Sequence, residues 1–249
     1  MQAALSVDEL KSIKVKRGKR FAQSLSQLRA AVPVESSVDM AKALELILAT
    51  PRAKYDETVD VAIRLGVDPK QADQMVRGAA TLPHGLGKKS VIVVFAKGEK
   101  AQEAQKAGAD FVGADDLVEK ILGGMTDFTS VVATPDMMGV VSKLGRVLGP
   151  RGLMPNPKVG TVTFDLAKTI SELKKGRAEF RVEKAGIIHS AIGKVSFGVQ
   201  KLNENFDALM EVVMRAKPQT SKGHYVLSIY LSTSIGPSVK VDHSKYLAV

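Results

Sequence analysis

The hydrophobic pattern of this chain changes style twice along its length, and that change limits the possible folds more than any other feature. In residues 55–65 the odd positions Val59, Val61, Ile63 and Leu65 are apolar, while Asp56, Thr58, Asp60 and Arg64 are polar. A period of two puts one strand face in a core and the other in water. Residues 90–96, SVIVVFA, are instead a short continuous apolar run, the pattern of a strand covered on both faces. Helical periodicity over 99–107, a strand at 111–113, a helix over 115–122 and a strand over 129–134 come next. Strand, helix, strand, helix, strand predicts a small parallel α/β layer. After Lys174-Lys175-Gly176-Arg177 the alternating style returns, with Phe180 and Val182 set among Glu179, Arg181 and Glu183. The alternating segments at 55–65, 180–182 and 225–234 are expected to share one sheet, with the parallel layer apart from it.

At 249 residues and 45% hydrophobic content the chain can build more than one core. Lys and Arg total 36 against 26 for Asp and Glu, giving a net charge of +10. That excess favours an anionic partner, nucleic acid or a membrane surface. No apolar run approaches the roughly 18 residues of a membrane span, so no membrane partner is expected. The chain has no cysteine, and His84, His189, His224 and His243 are far apart. Disulfides, thiol chemistry and His-rich metal spacing are therefore excluded, and neither catalytic residues nor a metal nor a cofactor is expected. Gly85-Leu86-Gly87-Lys88-Lys89-Ser90 falls short of the phosphate-loop span, and Lys97-Gly98-Glu99-Lys100 lacks a dinucleotide fingerprint. Both read as turns.

Residues 138–157, MGVVSKLGRVLGPRGLMPNP, join a basic helical segment to a Gly/Pro loop. Val140, Val141, Leu144, Val147 and Leu148 recur at helical spacing, with Lys143 and Arg146 elsewhere on the wheel. Gly149 is expected to leave the helix in a left-handed conformation and Pro150 to stop it. Arg151 and Lys158 ride on the loop. No acid occurs between Asp136 and Asp165, so a phosphate-rich partner suits this stretch; an ordinary helix and interdomain loop is the alternative.

Elsewhere, Lys11, Lys14, Lys16, Arg17, Lys19 and Arg20 make an amino-terminal basic run, either a phosphate-binding arm or a solubilising tail. Residues 36–39 read as a capping signal for a helix bearing Met40, Leu44, Ile47 and Leu48 and closed by Pro51. Val199, Leu202, Phe206, Leu209, Met210 and Val213 trace a core-facing helix stripe ending before Pro218. In residues 225–234 the alternation puts Leu227, Ile229 and Leu231 on one face and Ser228, Tyr230, Ser232 and Ser234 on the other. Short hydroxyls can approach sugar and phosphate closely, and Gly236 beyond them leaves room for a base or ribose. An edge strand with an ordinary turn fits the same residues.

Several contiguous stretches support an identification: KRGKR, AKYDETVDVAIRLGVDPKQADQMVRG, LPHGLGK, AGADFVGADDL, ATPDMMGVVSKLGRVLGPRGLMPNPKVGTV, EFRVEKAGIIH, IGKVSF and LSTSIGPSVKVD. Together they resemble the L-one family of large-subunit ribosomal proteins, which forms the mobile stalk beside the tRNA exit site. The resemblance implies a two-domain α/β and α+β fold. A discontinuous α+β rRNA-binding domain (1–86 plus 177–249) would carry an inserted Rossmann-like three-layer α/β domain (87–176), with Gly-bearing crossings near 82–88 and 174–177. It further implies a monomer within the ribosome, cytoplasmic and ribosome-associated. Such a protein binds large-subunit rRNA, assists release of deacylated tRNA from the exit site and represses translation by binding its own mRNA. Carried over by the same resemblance, the RNA contacts fall on Lys54, Tyr55, Thr58, Glu183, Lys184, His189, Ser228, Ser232, Thr233, Ser234, Ile235 and Gly236. Lys143, Arg146, Arg151 and Lys158 would make secondary basic contacts. Lys54 and Lys184 suit phosphates, Tyr55 suits stacking, and the serines suit sugar and phosphate oxygens. Parity along residues 55–65 also allows Tyr55 to be a core aromatic. Ser234-Ile235 stands where the family usually has threonine-methionine, and Phe164 stands in place of a common proline.

Overall fold

The structure, a computed structural model, describes residues 18–32, 36–50, 53–221 and 223–246. Two helices, α1 (Lys19–Ala31) and α2 (Met40–Leu48), precede strands β1 (Thr58–Leu65) and β2 (Arg77–Thr81). The middle runs through β3 (Ile92–Phe95), α3 (Glu99–Lys106), β4 (Phe111–Gly113), α4 (Asp115–Leu122) and β5 (Ser130–Ala133). Short helices α5 (Met138–Val141) and α6 (Gly145–Leu148) follow, then α7 (Leu166–Gly176). The chain closes with β6 (Arg177–Arg181), β7 (Ile187–Lys194), α8 (Gly198–Arg215), β8 (Val226–Thr233) and β9 (Val239–Val241). Of the residues singled out in the sequence, Lys11, Lys14, Lys16, Arg17 and Pro51 lie outside the described ones. No described helix is long and apolar enough to cross a membrane.

The described residues form three sheets: antiparallel β7-β1-β8-β9, an antiparallel β2-β6 ribbon, and parallel β4-β3-β5. In β1 the alternation works as expected, with Val59, Val61, Ile63 and Leu65 all buried. They meet Leu44 and Ile47 of α2 and Leu202, Phe206 and Leu209 of α8 in one core. Full burial of each such side chain contributes about 1.5–3 kcal/mol, so this inner face holds the sheet to its helices. In β3 every residue is buried because the two faces meet different layers. Val93 and Phe95 pack with Leu117, Ile121, Val141 and Leu144, whereas Ile92 and Val94 pack with Ala104, Ile170 and Leu173.

In the elements themselves the structure corrects the sequence reading at five points. Residues 180–182 do not join the main sheet; β6 pairs with β2, and only the Val182–Ile188 bridge reaches β7. The place beside β1 belongs to β7, which the alternation did not reveal. Leu227, expected in the core, is 41% exposed. The register slips between Arg64 and Leu65, so that Leu65 faces Val226 and Leu227 is the extra, outward residue of a bulge. Residues 138–148 are not one helix: a tight turn at Ser142–Leu144 separates α5 from α6. Ser142 Oγ donates to the Met138 carbonyl at 2.7 Å, a back-bond that bends helices, and Gly139 and Gly145 weaken the propensity on both sides. Last, Gly149 keeps helical angles, and the left-handed residue of that loop is Gly152.

Both crossings between the alternating and parallel parts rest on glycines. A Cβ on Gly176 would lie 2.4 Å from Gly85 Cα, so the two strands of the crossing touch backbone to backbone. Asn205, fully buried on α8, fixes the first crossing. Its Oδ1 accepts the His84 N–H at 3.0 Å, and its Nδ2 donates to Gly85 O at 3.0 Å and Ile192 O at 2.7 Å.

Candidate nucleic-acid interface

The outer face of the four-stranded sheet is built by the even positions of β1. Register sets Asp60 between Ala191 and Ser232, Ala62 between His189 and Tyr230, and Arg64 between Ile187 and Ser228. Tyr230 in turn faces Lys240 on β9. Arg64, His189 and Tyr230 are exposed, and Asp60, Ser228, Ser232 and Lys240 are half-buried. Cations, imidazole and short hydroxyls thus lie in adjacent rows along a strand of roughly 23 Å.

One end of the face is tied by Ser234 and Glu57. Ser234 N–H donates to Thr58 O at 3.0 Å, and Ser234 Oγ accepts the Thr58 N–H at 3.2 Å. Glu57 is 1% exposed. Its carboxylate accepts the Ala53 N–H at 2.6 Å and the Ile235 N–H at 3.4 Å, which draws the loop carrying Lys54 and Tyr55 toward the end of β8. Tyr55 lies before the strand and is 58% exposed, so strand parity does not put it in the core. Thr233 turns inward at 4% exposure, and its Oγ1 accepts the Gly236 N–H at 3.0 Å. A Cβ on Gly236 would lie 2.2 Å from that oxygen, so the space read as room for a base is filled by a neighbour.

Glu183 and Lys184 sit at the opposite end, in the turn before β7 where Gly186 O accepts the Leu65 N–H. Glu183 Oε2 approaches His189 Nε2 to 3.9 Å, both exposed. The structure therefore brings Lys54, Tyr55, Thr58, Ser232, Ser234, Ile235 and Gly236 to one end. His189 and Ser228 fall along the face, and Glu183 and Lys184 at its far end. Lys143, Arg146 and Arg151 are exposed but belong to the parallel layer and do not join this face. Lys158 is in a turn of the same layer.

The sequence reading missed Arg64, Lys194, Lys240 and Glu57. Arg64 shares the outward parity of Asp60 and was legible on that ground. Lys194, opposite Thr58, donates to Asp56 O at 3.0 Å; nothing local marks it, because β7 itself was not foreseen. Electrostatically, cations surround one half-buried acid, Asp60. Burial pushes the Asp60 carboxyl up, against the opposing pull of Lys88, His189 and Lys194.

Comparison with known proteins adds one finding. A family model described as the Ribosomal protein L1p/L10e family matches residues 46–237, well over half of the chain and a span that includes every residue of this face up to Gly236.

Proposed function

This chain belongs to the Ribosomal protein L1p/L10e family, and on that premise we propose that it binds large-subunit rRNA along the outer face of the β7-β1-β8-β9 sheet. The family consists of structural ribosomal proteins rather than enzymes, and it binds rRNA within the large subunit. The observation that carries the reading is the mixed surface of Arg64, Lys194 and His189 with Ser228, Ser232 and Ser234 on one accessible sheet face. Cations there neutralise phosphates, and short hydroxyls let the sugar edge come close. Tyr55 and Tyr230 offer exposed rings on which a base or ribose can stack.

Within this reading, residues 1–86 and 177–249 form the discontinuous rRNA-binding domain and residues 87–176 a Rossmann-like insert. Separate cores for the four-stranded and parallel sheets support that division. The insert, with Lys143, Arg146, Arg151 and Lys158, reaches toward the exit-site tRNA and assists release of the deacylated molecule. The sheet face also takes a segment of the protein's own mRNA that imitates the rRNA site, which represses translation. Co-sedimentation with large subunits tests the ribosomal role. Recovery in the subunit fraction, with release at high salt, is expected; a protein that binds the mRNA segment but never the subunit would instead be a free repressor.

A further inference from the structure

The β2-β6 ribbon lies outside the face described above and carries cations of its own. Its register sets Arg77 directly opposite Arg181. Like charges so placed destabilise a strand pair. Arg77 also lines a groove of about 430 Å³ whose other walls include Arg177, Pro157 and Gly160 before α7, and Val212 and Arg215 near the end of α8. Three arginines line this groove, and no acidic residue among the described ones does.

Arg177 is the most enclosed, with its side chain 12% exposed. One Nη donates to the Val159 carbonyl, and the other stands 3.4 Å from Glu172 Oε2. Its Nε–H is buried with no acceptor, a costly state for a donor. Glycine at 160 makes the close approach possible, since a Cβ there would lie 3.1 Å from an Arg177 Nη. Arg77 Nη2 reaches the weak acceptor Met75 Sδ at 3.0 Å, and Arg215 pairs with the exposed Glu211. The third nearby acid, Glu179, sits on β6 between Arg177 and Arg181.

We propose that this groove is a phosphate site, where Arg77, Arg177 and Arg215 hold one oxyanion and join the ribbon and α8 to the loop at 157–160. Planar guanidiniums donate paired N–H bonds that match phosphate oxygens, and the open groove leaves room for them to reach one. Inorganic phosphate and an RNA phosphodiester share this chemistry; the groove has room for either. The site does not rest on the rRNA face, which uses a different sheet.

Thermal unfolding of the full chain at fixed pH and ionic strength provides the test, with inorganic phosphate exchanged for chloride. Phosphate also stabilises proteins by exclusion from their surfaces, so the comparison is with Arg77→Gln/Arg215→Gln, which leaves the buried Arg177 in place. The parent midpoint should rise along a saturating curve, and the variant should lose at least half of that rise. An equal rise in both proteins, or none in the parent, overturns the site. An independent variant, Arg181→Gln, should raise the midpoint in chloride by removing the opposed charge; a lowered midpoint contradicts the repulsion. Repeating the titration with a short oligouridylate identifies the source. A parent-specific rise with the oligonucleotide assigns the site to RNA backbone, and one with inorganic phosphate alone assigns it to the free ion.

Discussion

Gly236 holds its place because of one oxygen. Any Cβ would meet Thr233 Oγ1 at 2.2 Å and displace the bond that this oxygen accepts from the Gly236 N–H. Gly236→Ala should therefore destabilise the protein by about 1–3 kcal/mol in urea unfolding, whether or not RNA is present. Adding Thr233→Ala removes the clash, so the double variant should lose less than the sum of the singles. A glycine in a hydroxyl-rich turn was legible in the sequence, as was the inward parity that Thr233 shares with Ile229 and Leu231; their contact was not, because it forms only when the chain turns back after Thr233. Glu57 is a second case. It looks like one more polar residue before an alternating strand, yet it is buried and bonded to Ala53 and Ile235. Glu57→Ala should cost about 2–3 kcal/mol, for two hydrogen bonds lost at a buried site, in the same measurement. Asp60 acts in the opposite direction. Its folded pKa lies above the usual carboxylate value because of burial, so its ionised form opposes folding. The penalty is absent below the unfolded pKa and grows as pH rises through the raised folded pKa. Asp60→Asn should then be more stable than the parent at neutral pH, with the advantage fading on acidification. It should also bind RNA more tightly, since an anion leaves the surface proposed to face phosphate.

Among the elements, those with a strong period were legible from the sequence. β1, β3 and α8 follow their apolar patterns, since their neighbours cover the faces that the patterns mark. β7 was missed because Ser190 occupies a buried position between Ile188 and Ile192 and breaks the alternation. β2, RGAAT, has Thr81 as its single β-branched residue and no aromatic one, and is held by pairing with β6. The bulge at Leu227 could not be read from β8 alone, since register is a property of two strands. Asn205 shows the same limit: on the helical wheel it is one polar residue in an apolar stripe, whereas in the fold it fixes a crossing to α8 and β7. Asn205→Ala strips these bonds and leaves two buried carbonyls and one N–H unpaired. It should cost about 3 kcal/mol or more, and amide exchange at residues 84–86 should quicken more than at β9. Equal protection in both proteins would mean that the crossing is held by its glycines alone.

For the whole molecule, the excess of cations was visible from composition, but its distribution was not. Residues 138–157 looked like the strongest phosphate-seeking stretch, and their exposed Lys143 and Arg146 belong to the parallel layer. Arg64 and Lys194 lie instead on the four-stranded sheet among the hydroxyls. The proposed rRNA recognition lies on this second surface. It is tested most directly by the salt dependence of binding to an rRNA stalk fragment, comparing the parent with Arg64→Gln/Lys194→Gln and with Lys143→Gln/Arg146→Gln. Each phosphate-neutralising cation removed should flatten the plot of log K against log salt by about 0.7–0.9. The sheet-face pair should thus lower the slope by about 1.5 and weaken binding, while the other pair leaves both close to the parent. The reverse result, with the weakening confined to Lys143→Gln/Arg146→Gln, would place rRNA recognition on the parallel layer and overturn the proposal.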